Sequence, residues 1–304
     1  MQVPRAFRST AVKRAGGALA TLKAPPPPVL VLLSMTVVQV GAALAKSLFA
    51  SIGPSGAVLL RVGLGALILL ILWRPQLRGY TWREYRWALL FGGVLAAMNF
   101  SFYQALDRIP LAVAVTIEFV GPLAVALLGS RRPVDLLWVA LAGAGIVLLA
   151  PTGLFGGIAL DPIGVGLALL AGAFWASYIL VSGQVGQAFP GVAGLALAMV
   201  VATVLLLPVG VLSAGSVLLN WRFLLLGAGV AVLSSVLPYS LELEALRRLP
   251  ARVFGVLMSL EPGFAALVGF LLLHEQPGLR AAVAIALVIS ASLGATQVRK
   301  RVEA

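Results

Sequence analysis

Apolar runs of about twenty residues follow one another along almost the whole chain, between positions 29 and 297. That length matters because about 20 apolar residues in an α-helix cross the ~30 Å hydrocarbon layer of a bilayer. In lipid, every backbone N–H and C=O must be satisfied within the protein, so such a chain folds as membrane helices. Ten spans are expected, near 29–48, 56–73, 87–106, 111–129, 134–151, 162–182, 191–212, 221–241, 250–273 and 278–297. Breaking stretches separate them: SIGPSG at 51–56, RRP at 131–133, LDP at 160–162, FPG at 189–191 and EQPG at 275–278. The expected fold class is therefore all-α integral membrane.

Composition excludes the main competitors. The chain is 61% hydrophobic and 11% charged, against about 25% charged residues in a soluble domain. Cysteine is absent and His274 is the single histidine. That excludes disulfides and thiolate metal sites, and it argues against multi-histidine metal centres. No GxxxxGK[ST] phosphate loop is present. Neither an enzyme, a metal nor a cofactor is expected. The net charge of +12 would suit nucleic acid, but the basic residues stand in short clusters between apolar runs, the pattern of membrane topology. The expected partners are the lipid bilayer and a small substrate, and not nucleic acid.

Residues 1–28 carry Arg5, Arg8, Lys13, Arg14 and Lys23 ahead of four prolines. The apolar run that follows is longer than the 7–15 residues or so of a signal-peptide core, so a basic tail and a retained first span are expected. With the N-terminus in the cytoplasm, 17 Lys and Arg fall on inner segments; Lys46, Arg108, Arg222 and Arg280 fall outside, and Arg61 lies within a span. Positive charge stays inside, so both termini are expected in the cytoplasm.

An internal repeat organises the chain. ALDRIPLAVAVTIEFVGPLAVALLG at 105–129 aligns without a gap on ALRRLPARVFGVLMSLEPGFAALVG at 245–269. Arg108/Arg248, Pro110/Pro250, Pro122/Pro262 and Gly129/Gly269 are identical pairs. Apolar composition alone does not easily produce that spacing of arginine, proline and glycine. The offset spans five helices, an odd number, so the two halves enter the membrane from opposite sides. Inverted repeats of this kind belong mainly to secondary transporters. The expected halves are 29–151 and 162–297, the second following a short linker.

Several stretches carry a family likeness: GAALAKSLF at 41–49, LRVGLGALIL at 60–69, IEFVGPLAVALLGSRRPVD at 117–135, LPYSLELEAL at 237–246 and FGVLMSLEPGFAAL at 254–267. On these the chain resembles the EamA branch of the drug/metabolite transporter superfamily, and more closely the bacterial threonine/homoserine exporters. The resemblance covers nearly all of 29–297. It implies export of small neutral amino acids across the bacterial inner membrane; a drug or other-metabolite exporter on the same fold is the alternative.

Transport sites on inverted repeats lie near mid-membrane where the halves meet, so intramembrane polar residues are the candidates. Glu118 lies ~10 Å deep and Arg61 ~8 Å deep at 1.5 Å per residue from the same face. The two are expected to meet as a structural ion pair; in the other reading, Glu118 meets a substrate ammonium or a proton. Pro122 clashes with the carbonyl four residues back, at Glu118, and Pro262 does so at Met258, with Glu261 beside it. Each is expected to kink its helix, free a carbonyl for an ammonium, and act as a hinge. Asn99 and Tyr239 are related by the repeat offset, and Tyr103 shares a face with Asn99. These three are candidate cavity residues able to hydrogen-bond a carboxylate. Trp175, Tyr178 and Gln39 are further candidates away from the span ends. Lys46, His274 and Glu275 are expected to snorkel outward, and Glu242 and Glu244 to serve Arg247 and Arg248.

Overall fold

The computed structural model describes residues 25–75, 79–127, 133–149, 160–189, 192–246, 248–249, 254, 257–276 and 278–298. The basic tail up to Lys23, Arg131, Arg132, Arg247, the 299–301 cluster, and Gly129 and Pro250 of the repeat lie outside these residues.

The described residues are helical throughout their ordered elements. They form α1 (Pro27–Ser47), α2 (Phe49–Trp73), α3 (Trp82–Arg108), α4 (Leu111–Glu118) and α5 (Val120–Leu127). Next come α6 (Pro133–Leu149), α7 (Pro162–Ala188) and α8 (Ala193–Ala214). Then α9 (Trp221–Ala231) passes through a π-helical turn (Val232–Val236) into α10 (Leu237–Leu246). Last come α11 (Glu261–Leu273) and α12 (Leu279–Val298). Among the described residues, six helical stretches are long and apolar enough to cross a membrane: Pro27–Ser47, Phe49–Leu72, Trp82–Arg108, Pro162–Ala188, Ala193–Leu219 and Trp221–Glu242.

Helix starts follow local chemistry. Thr81 and Glu84 form a reciprocal capping box at α3. Asp161 caps α7 by accepting the Ile163 N–H at 2.8 Å, with Pro162 in the first turn where its missing N–H is harmless. Arg108 hydrogen-bonds Asp161 at 3.0 Å and holds that carboxyl below its usual pKa.

Three breaks depart from uninterrupted spans. SIGPSG is a kink inside α2 rather than a loop: Gly53 takes φ +67°, a conformation glycine tolerates, and Pro54 follows. The fourth span divides at Phe119 into two eight-residue helices. Pro122 is the third residue of α5 and Pro262 the second of α11. Each proline thus sits in the first turn of a helix that resumes after an interruption, where it needs no donor of its own.

Small residues bring the helices together. A Cβ on Gly172 of α7 would stand 2.7 Å from the Glu118 carbonyl oxygen, and one on Gly121 would meet the Gly172 carbonyl. Thus α7 crosses the α4–α5 break at backbone contact. Elsewhere α3 packs on α7 and α8, α2 on α8, α6 on α12, and α1 on α10 and α11. Leu67, Ile71, Leu212, Leu225 and Leu271 are more than half exposed, as a lipid-facing surface requires. Trp82 is 70% exposed at the start of α3, where an interfacial anchor belongs.

Candidate functional site

The breaks beside Glu118 and Glu261 border one cavity of about 160 Å³. Gln39 enters it from α1, Arg61 from α2, Asn99 from α3 and Glu118 from the last position of α4. Trp175 and Tyr178 enter from α7, Tyr239 from α10, and Glu261 from the first position of α11. Eight of the sequence candidates therefore share one space. Tyr103 and the two prolines stand outside its walls.

Arg61 is held by a device the sequence reading missed. Its Nη2 donates to the Ser234 carbonyl at 3.1 Å. Pro238 stands four residues after Ser234 and has no N–H to give that carbonyl, and the π-helical turn immediately before it loosens the same stretch. The guanidinium also lies over the Tyr103 ring, 5.4 Å from its centroid. Tyr103 is fully buried and acts as the floor beneath Arg61 rather than as a wall. Among the described residues Arg61 makes no ion pair with Glu118. The two charges line one cavity separately, because Arg61 is drawn to the carbonyl that Pro238 releases.

Two other expectations change in the same way. The Glu118 carbonyl freed ahead of Pro122 lies against Gly172, so helix packing covers it. Asn99 donates through Nδ2 to the Leu95 carbonyl at 2.8 Å, a bond within its own helix that occupies one of its donors.

Glu261 accepts from Gln39 Nε2 at 3.2 Å. Glu242, expected beside the inner arginines, instead faces the cavity and accepts from Ser34 Oγ at 2.7 Å. Residues two apart on a helix point to different sides, so Glu244 alone serves Arg248. Trp175 packs edge-on against Phe119 and Tyr178 stacks on Phe91, which fixes both cavity-lining rings.

Four buried polar atoms around this space have no protein hydrogen-bond partner: Gln39 Oε1, Arg61 Nε, Ser234 Oγ and Glu261 Oε2. Buried polar groups are nearly always satisfied by protein or water, so these open donors and acceptors suit water or a polar ligand in the cavity. The walls offer a guanidinium in Arg61 and carboxyls in Glu118, Glu242 and Glu261, groups suited to the two ends of a molecule that carries a carboxylate and an ammonium.

Comparison with known proteins gives the same direction. The family model described as the EamA-like transporter family matches residues 162–297. Threonine/homoserine exporter RhtA of Escherichia coli (strain K12) is 46% identical over 271 residues, 89% of this chain and 91% of that protein. The Salmonella typhimurium (strain LT2) protein of the same name is 46% identical over 276 residues, covering 90% and 92%. A solved crystal structure at 20% identity superposes with a TM-score of 0.62, covering 91% of this chain and 99% of that one; it shares the fold.

Proposed function

We propose an activity for this chain from a plain premise: it belongs to the EamA-like transporter family. It exports small neutral amino acids of the threonine and homoserine kind from the bacterial cytoplasm. The observation that carries this reading is the cavity, in which Arg61 and the glutamates stand ready for the two ends of a zwitterion. Size supports it too. A cavity of about 150 Å³ holds a molecule as large as benzene, which suits a small amino acid better than a drug.

The mechanism proposed is alternating access by two inverted halves, 29–151 and 162–297, with ten spans in all. Exchange of first helices supports that reading: α1 packs on α10 and α11, while α7 packs on α3, α4 and α5. Each half thus places its first helix on the later elements of the other. The lysine and arginine distribution supports an inner-membrane orientation with both termini in the cytoplasm. In the site, Arg61 receives the substrate carboxylate, and Glu118 and Glu261 receive the ammonium. The cavity carries three carboxyls and one guanidinium, so a proton takes the place of the ammonium on the return step.

Counterflow of labelled amino acids in proteoliposomes tests this. Threonine or homoserine exchange is expected, weakened by Asn99→Ala and by Tyr239→Ala. If monodisperse protein moves no amino acid at all, the substrate assignment fails; unchanged uptake in both variants removes the binding-site assignment.

A further inference from the structure

We propose that the Glu275 carboxylate closes the cavity toward the extracytoplasmic side, and that its release is the step that opens that side. The proposal rests on the transporter reading and topology given above. Glu275 Oε1 accepts from Lys46 Nζ at 2.9 Å. Both its oxygens also accept the Leu111 N–H, at 3.1 and 2.9 Å. One carboxylate therefore clasps the end of α1 and the start of α4 in the first half to the end of α11 in the second.

The clasp is built, not incidental. Leu111 opens α4, where an N–H has no partner inside its own helix, and a negative charge suits that helix end. His274 ends α11 with φ +54°, and the Glu275 N–H turns back to the Gly269 carbonyl at 3.0 Å, the usual way such a stop is tied off. A Cβ at Gly269 would come within 2.8 Å of Glu275 Oε2, so the glycine leaves the carboxylate its place. The side chains of Glu275 and Lys46 are 14% and 26% exposed, against 30% and 40% for Asp161 and Arg108, the other pair on this side. The better shielded pair is the one less weakened by solvent.

At the opposite end of α1, Ser34 is tied to Glu242 of the second half at 2.7 Å. The cavity-lining residues Val38, Gln39 and Ala42 fall between these two ties. Alternating access requires the two ties to release in turn. Glu118 lies on the same helix as Leu111, ~10 Å further along, so movement of the clasped end of α4 reaches the carboxyl that receives the substrate ammonium.

The chain has no cysteine, so Ala42→Cys on the cavity wall gives a single reporter. Its reaction with a membrane-impermeant maleimide is timed from the outer face and, in inverted vesicles, from the inner face. In Glu275→Gln the outer rate is expected to rise at least about fivefold, with no rise from the inner face. Lys46→Met is expected to do the same and carries the test if the first variant does not fold. An unchanged outer rate, or an equal rise from both faces, overturns the proposal. The readout needs no substrate, so a failure of amino acid counterflow leaves it legible, and unchanged labelling leaves the substrate assignment standing.

Discussion

Pro238 and Arg61 meet through a single atom, the carbonyl oxygen of Ser234. The proline has no N–H to offer it, and Arg61 Nη2 donates to it at 3.1 Å. A helix defect in the second half thus positions a charge from the first, and a change at Pro238 should be felt at the substrate.

In Pro238→Ala the new N–H competes for the Ser234 carbonyl and loosens Arg61. Substrate affinity is expected to fall about tenfold, near 1.4 kcal/mol, the scale of a hydrogen bond to a charged group. Concentration dependence of counterflow checks this; a half-saturating concentration equal to that of the unaltered protein rejects the coupling.

Glu118→Gln and Glu261→Gln keep the volume and remove the charge. Each is expected to lower exchange by a factor of about ten or more if it meets the ammonium through a charge-assisted bond. Each should also flatten the dependence of flux on pH. Retention of full, equally pH-dependent flux in both variants would show that neither carboxyl takes part.

Gly172→Ala drives a methyl against the Glu118 carbonyl. Overpacking of this kind costs about 1–3 kcal/mol, so a lower thermal midpoint in detergent is expected together with weaker transport. Gly166 of the same helix has open space where its Cβ would be. Gly166→Ala is therefore expected to leave stability unchanged or improve it by up to about 1 kcal/mol. Equal destabilisation of both variants would place the effect in helix propensity instead of the crossing.

Ser34→Ala removes the donor to Glu242 while leaving the cavity volume nearly unchanged. A change in half-saturation measured from the cytoplasmic side, without one from the outer side, is the expected sign that Glu242 serves the inner end of the pathway. Equal effects from both sides would assign it to the central site.

Helix positions were readable because hydropathy is summed over many residues, and single errors average out. The start of α1 was expected at 29 and lies at Pro27, and α12 was expected at 278–297 and spans Leu279–Val298. Of the eleven residues singled out for the site, Gln39, Arg61, Asn99, Glu118, Trp175, Tyr178, Tyr239 and Glu261 line the cavity. They were readable because a polar group in a lipid-length apolar run needs a polar surrounding. Glu242 is legible only as a partner for the inner arginines, and Ser234 and Pro238 carry no site reading, although the proline in LPYS has the same helix-breaking signal as Pro122.

The sequence by itself determined that this chain is helical and membrane-spanning, and which of its side chains are too polar to face lipid. These follow from the length, hydropathy and charge of each segment taken alone. Only the tertiary structure decided partners. Arg61 bonds a carbonyl rather than Glu118, the Glu118 carbonyl is covered by Gly172, and Lys46 and Glu275 clasp each other rather than reaching outward. Each of those choices is made between residues of separate helices by distances of a few ångströms, which neither spacing along one helix nor its hydropathy records.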